Sequence, residues 1–185
     1  MKDEKFTAYT ERCLDLARNW GWEKEIKAKE KLAWELHEQF PPAGSLLLGH
    51  LALEQGTSYL KRDIGTKEFA RTLVAESFRA VQDLEEKDGW DYYYVGLSHA
   101  YGRGTSRDYS LAAEAFSDSS RRGNPYAEFE AIWARYLAGG TRLEAILGLT
   151  ALQGKLADFA AYSARALALL EIGPCREPGS PGKRT

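Results

Sequence analysis

Three histidines, His37, His50 and His99, are the side chains best suited to acid–base or metal chemistry near neutral pH. Trp34-Glu35-Leu36-His37-Glu38 holds a His-Glu pair. No second histidine follows four residues after the first, so the segment is not a metalloprotease helix. His99 with its neighbouring tyrosines supports one enzymatic reading, a small hydrolase or ligand-binding protein. Its other reading is a packing residue. Gly102-Arg103-Gly104 is no nucleotide loop, because no strand precedes it and the Lys-Ser/Thr pair is missing. No Gly-x-Ser-x-Gly elbow occurs. Glu85, Glu86 and Asp88 read as the solvated end of a charged helix. Cys13 falls on an apolar helix face and reads as buried and inert; Cys175 is reactive only through exposure. Neither belongs to a CxxC pair. These residues predict no catalytic centre, no metal site and no cofactor.

The elements that would position any site follow from the hydrophobic pattern. Phe6, Tyr9, Cys13, Leu16, Ala17 and Trp20 recur at helical spacing, and a second helix spans about 23–40 before Pro41-Pro42. A short Leu-rich helix is predicted over Ser45–Glu54, then a loop from Gln55 to Gly65. Thr66 is placed to cap a fourth helix carrying Phe69, Leu73, Phe78, Val81 and Leu84. The fifth runs from Trp90 to Tyr101, and the sixth starts after Asp108 and reaches about Arg122. Pro125 opens the seventh, and two Ala/Leu-rich helices occupy about 142–152 and 155–172. Residues 173–185, rich in proline, glycine and charge, read as a disordered tail. Tyr92-Tyr93-Tyr94-Val95 has high β-propensity, but the surrounding repeat overrides it.

That repeat has a period of about 36 residues. Tyr93 falls opposite Phe129, Leu97 opposite Trp133 and Gly104 opposite Gly140. Gly96, Ala112, Ala113 and Ala127 are small enough for close approach of two helix backbones, and Phe116 and Leu97 fill the space between layers. The stretch VGLSHAYGRGTSRDYSLAAEAF followed by RRGNPYAEFEAI resembles the Sel-one-like repeat family, a relative of the tetratricopeptide repeats. Val95-Gly96, Gly102-x-Gly104, Asp108, Ala112, Phe116, Gly123 and Ala127 match its pattern in register. His99 stands where that family has an aromatic, Ala131-Ile132 replaces Leu-Gly, and Leu48-Gly49 with Gly56, Asp63 and Ala70 looks like a degenerate upstream copy.

The resemblance implies an all-α fold: a right-handed α/α solenoid of about four helical hairpins in a tetratricopeptide-like superhelix. Residues 1–172 would form one helical-repeat domain, with clearest units at 90–125 and 126–154. Helices within 1–42 and 155–172 would cap its ends. It also implies a non-catalytic adaptor or scaffold; many bacterial members serve signalling, stress or secretion-related settings. Its cysteine-rich branch binds β-lactams, but the paired cysteines of that branch are absent here. In the related tetratricopeptide geometry the first helix of each hairpin lines a concave groove. That places Trp90, Tyr93, Leu97, Tyr101, Tyr126, Phe129, Trp133 and Tyr136 as groove residues for a protein or peptide partner. The competing reading packs the same stripe against a neighbouring hairpin. Arg103, Arg107, Arg121, Arg122 and Arg135 offer a basic rim or a solvated surface.

The totals agree with this class. The 185 residues are 44% hydrophobic and 28% charged, as in one globular domain. A net charge of -2, from 25 basic and 27 acidic residues, argues against a dedicated nucleic-acid binder. Met1-Lys2-Asp3-Glu4-Lys5 leads into no apolar signal region, and no run approaches a membrane span, so the cytoplasm is the expected address. A monomer is the expected state. A structural subunit that self-associates through a solenoid end is a further alternative.

Overall fold

The computed structural model describes residues 31, 33–55, 67–124 and 126–155. Residues 33–39 are helical, and six helices follow: α1 (Ala43–Gln55), α2 (Lys67–Gln82), α3 (Gly89–Tyr101), α4 (Tyr109–Arg121), α5 (Ala127–Leu137) and α6 (Arg142–Lys155). Among the described residues there is no strand. The tyrosine run lies inside α3 and is helical, not extended. The predicted first helix, the 55–65 loop beyond Gln55, the Thr66 cap, Pro125, the terminal helix beyond Lys155 and the tail lie outside the described residues, as do both cysteines.

Side-chain caps place the helix starts. Asp108 Oδ1 accepts hydrogen bonds from Ser110 N (2.9 Å) and Leu111 N (3.0 Å), as expected for a cap. Asp88 is not a solvated helix end. It caps α3, accepting from Trp90 N at 2.7 Å and Asp91 N at 2.9 Å, while Asp91 Oδ2 accepts from Asp88 N at 2.9 Å. This reciprocal box escaped notice because two aspartates stand where Ser/Thr and Glu usually signal it. The more familiar pattern opens α6, where Glu144 N donates to Thr141 Oγ1 (3.2 Å) and Thr141 N to Glu144 Oε2 (3.1 Å). At the other end of α3, Gly102 takes φ 64° and Gly104 φ 78°, conformations that favour glycine. A Cβ on Gly104 would also lie 3.0 Å from the Val74 carbonyl oxygen. In the next unit the left-handed residue is Gly139, one position earlier than the repeat register places it at Gly140. Nor does a break separate two helices at 153–154: α6 continues through Gly154 to Lys155. A helical glycine weakens the turn by about 1 kcal/mol but does not by itself end it.

Burial of Asp91 has a pH signature. Loss of solvation, reinforced by the nearby Asp88 charge, pushes its carboxyl up to about 6; the hydrogen bond from Asp88 N opposes this. The folded chain therefore holds a proton more tightly than the unfolded chain between the ordinary value of 3.8 and about 6. This site's contribution to stability falls as pH rises through that window. Asp91→Asn keeps an acceptor for Asp88 N without the charge. At pH 7 it is expected to stabilise the fold by about 2 kcal/mol, and below pH 4 to change little, as read by urea unfolding at both pH values. Destabilisation at pH 7 would show that the ionised carboxylate is the favoured cap.

The core divides into small clusters, each shared by helices close in sequence. Leu46, Val74, Phe78, Val81, Tyr94 and Val95 join α1, α2 and α3. Ala112, Ala113, Phe116, Ala127, Ala131 and Ala134 join α4 to α5. Ala145 and Leu149 of α6 receive Phe129, Ile132, Trp133 and Tyr136 of α5. Helices pack mainly on their neighbours in sequence, with α1 also meeting α3. Small residues let them close up. A Cβ on Gly49 would strike Val74, and one on Gly96 would lie 2.6 Å from the Phe116 ring.

Candidate functional site

The eight residues predicted for the groove separate into three groups. Trp90, Tyr93 and Tyr126 form an aromatic cluster with Tyr94 and Phe116. Trp90 lies 5.5 Å from Tyr93 and 6.4 Å from Tyr126, ring centre to ring centre, and Tyr93 lies 5.5 Å from Phe116. Tyr93 and Leu97 are half-buried and pack against two of the core clusters. Phe129, Trp133 and Tyr136 lean on α6, with the Trp133 and Tyr136 rings 5.8 Å apart. Tyr101, at the end of α3, is 48% exposed. Much of the stripe is thus shared with packing between helices.

Tyr101 and Trp133 nevertheless meet at an open cleft of about 310 Å³. Ala100 and Tyr101 of α3 form one wall, and Glu130, Trp133, Ala134 and Leu137 of α5 the other. Phe116 of α4 lies between them, and Arg107 and Tyr109 stand at the start of α4. Leu137 is 42% exposed. An aromatic–aliphatic hollow bearing both charges at its edge suits one or two side chains of another protein. Tyr109 and Glu130 were not anticipated. Tyr109 directly follows the capping Asp108, so its place opposite Tyr101 across the turn is readable only once that turn is known.

A buried polar node lies behind Tyr101. His50 of α1 is 3% exposed and Ser98 of α3 has no exposed surface. His50 Nε2 is 3.1 Å from Ser98 Oγ, and Arg103 Nη1 is 3.3 Å from His50 Nδ1 and 3.2 Å from the His50 carbonyl oxygen. A guanidinium only donates, so Nδ1 accepts and the imidazole is neutral with its proton on Nε2. Burial, then the Arg103 charge, lower the His50 pKa to about 3. Sealed from solvent, the Ser98–His50 pair joins α1 to α3. His99 is also buried. It sets its ring edge against Phe78 at 5.4 Å, as an aromatic would, and burial lowers its pKa. Its Nδ1 has no hydrogen-bond partner among the described residues. Among the described residues no group of His, Cys, Asp and Glu is arranged to hold a metal ion, and no helix is long and apolar enough to cross a membrane.

The chain matches no protein-family model, no curated protein and no solved structure.

Proposed function

We propose that this protein is a non-catalytic adaptor that binds a segment of a partner protein in the cleft between Tyr101 and Trp133. The observation that carries the reading is the cleft itself. Its two walls come from α3 and α5, which stand 36 residues apart in the repeat, and it leaves Tyr101 and Leu137 open to solvent. Large aromatic side chains that lose little rotamer freedom are the usual anchors of such contacts. The order of packing, each helix on its neighbour in sequence, supports a right-handed solenoid of about four hairpins of the Sel-one-like kind.

Tyr101→Ala and Leu137→Ser test the reading at exposed positions where the core is untouched. Each is expected to weaken partner binding by about 2 kcal/mol, roughly thirtyfold, with an unchanged circular dichroism spectrum. Trp133→Ala should do the same, with some loss of stability because Trp133 also packs on α6. Partner capture by both exposed-site variants at wild-type affinity would move the binding surface elsewhere.

A further inference from the structure

A second cleft lies on the other side of the turn that follows α3. Leu53 of α1, Arg71 and Ala75 of α2, and Gly102, Arg103, Gly104 and Thr105 line about 590 Å³ of open space. Arg103 is half-buried, and each of its contacts is neutral: the His50 ring, the His50 carbonyl oxygen and the face of Tyr101, 4.7 Å from the guanidinium carbon. Among the described residues neither Arg71 nor Arg103 has a carboxylate within ion-pair distance. Two guanidiniums therefore border one cleft with no carboxylate among the described residues to offset them.

A partly desolvated cation without a counter-charge raises the local potential and favours an incoming anion. Guanidinium groups suit the two oxygens of a carboxylate, which they bind by paired N–H donors. The cleft's size lies in the range of about 300–1,000 Å³ that holds an organic ligand, larger than a single inorganic ion requires. Leu53 and Ala75 supply an apolar side for the rest of it. Arg103 stacks on Tyr101, and Tyr101 lines the first cleft, so the two hollows meet at this pair.

We propose that the Arg71–Arg103 cleft binds an acidic side chain of the partner segment, next to the apolar residue that enters the Tyr101–Trp133 cleft. This specifies the partner chemistry of the adaptor reading and rests on it: the recognised segment carries Asp or Glu close to a large apolar residue.

The test is a nuclear magnetic resonance titration of the full chain with an acetylated, amidated peptide Glu-Leu-Glu-Phe, its neutral twin Gln-Leu-Gln-Phe, and inorganic phosphate. The acidic peptide is expected to shift the amides of Gly102, Arg103, Gly104 and Thr105, and to bind at least about tenfold more tightly than the twin. Arg71→Gln, an exposed change that leaves the His50 contacts in place, should remove about tenfold of that affinity. Equal binding of the two peptides, no shift at millimolar acidic peptide, or an unaffected Arg71→Gln variant would overturn the proposal. Phosphate shifting the same amides as strongly as the peptide would overturn it in favour of a free-phosphate site. Leu137→Ser separates the readings, since Leu137 lines the first cleft and not the second. Its failure to affect partner binding counts against the aromatic cleft, whereas an unaffected Arg71→Gln counts against the acidic one.

Discussion

Gly96→Ile is expected to destabilise the protein by about 3 kcal/mol, lowering Tm by roughly 10 °C. A Cβ at this position would lie 2.6 Å from two atoms of the Phe116 ring, a buried group with little room to retreat. Replacing a helical glycine gains only about 0.5 kcal/mol of helix propensity, so the clash prevails. The next packed pair, α5 and α6, shows how the chain accommodates the reverse arrangement. Thirty-six residues on, Ile132 replaces the glycine, and Gly148 lies in the register of Ala112. A Cβ on Gly148 would stand 3.1 Å from Ile132 Cδ1, tighter than ordinary contact. Leu152, fully buried, takes the register of Phe116. Large and small residues have changed helices while the pair still closes. Transplanting the set as Gly96→Ile, Ala112→Gly and Phe116→Leu should recover most of the loss in thermal unfolding. A stable single variant would refute the close contact; a triple variant no better than the single would refute the equivalence of the two units.

This exchange shows where the sequence was legible. Gly96, Ala112 and Phe116 could be assigned to a helix–helix contact because small residues let two backbones approach and an aromatic fills the space beside them. The glycine turns and the Asp108 cap follow from local chemistry that acts within a few residues. Ile132 in place of glycine looked like decay of the repeat; without knowing that Gly148 faces it, nothing marks the change as compensated. The stripe of aromatics was visible, but which rings face solvent was not. Trp90 and Tyr101 belong to one helix, yet Trp90 packs against Tyr126 and Tyr94 while Tyr101, the last residue of that helix, is largely exposed. Periodicity gives the face of a helix and not how far along it a neighbour reaches. The His50–Arg103 contact spans 53 residues, from α1 to the turn after α3, and no local pattern foretells it.

That contact makes the fold sensitive to acid. Burial is the larger cause of the His50 shift and the Arg103 charge the next, while the hydrogen bond with the Tyr94 backbone opposes both. With a folded value near 3 against an ordinary 6.5, the unfolded chain binds the extra proton throughout that interval. His50 therefore contributes stability in full above pH 6.5, and this is lost as pH falls toward 3. The span corresponds to about 5 kcal/mol, a large share of the roughly 5–15 kcal/mol that holds most domains together. Asp91 acts with the opposite sign between about 6 and 3.8, so a wild-type curve alone mixes the two. The comparison that isolates His50 is His50→Gln, followed by urea unfolding at pH 7, 5 and 4. Wild type is expected to be the more stable at pH 7, and the gap should shrink steadily as pH falls. A gap independent of pH would mean that the imidazole is not held neutral between α1 and α3. Arg103→Gln provides the second arm. Removing the guanidinium charge should reduce the acid-dependent loss while burial preserves most of it, because desolvation acts on the ring whether or not the arginine is present.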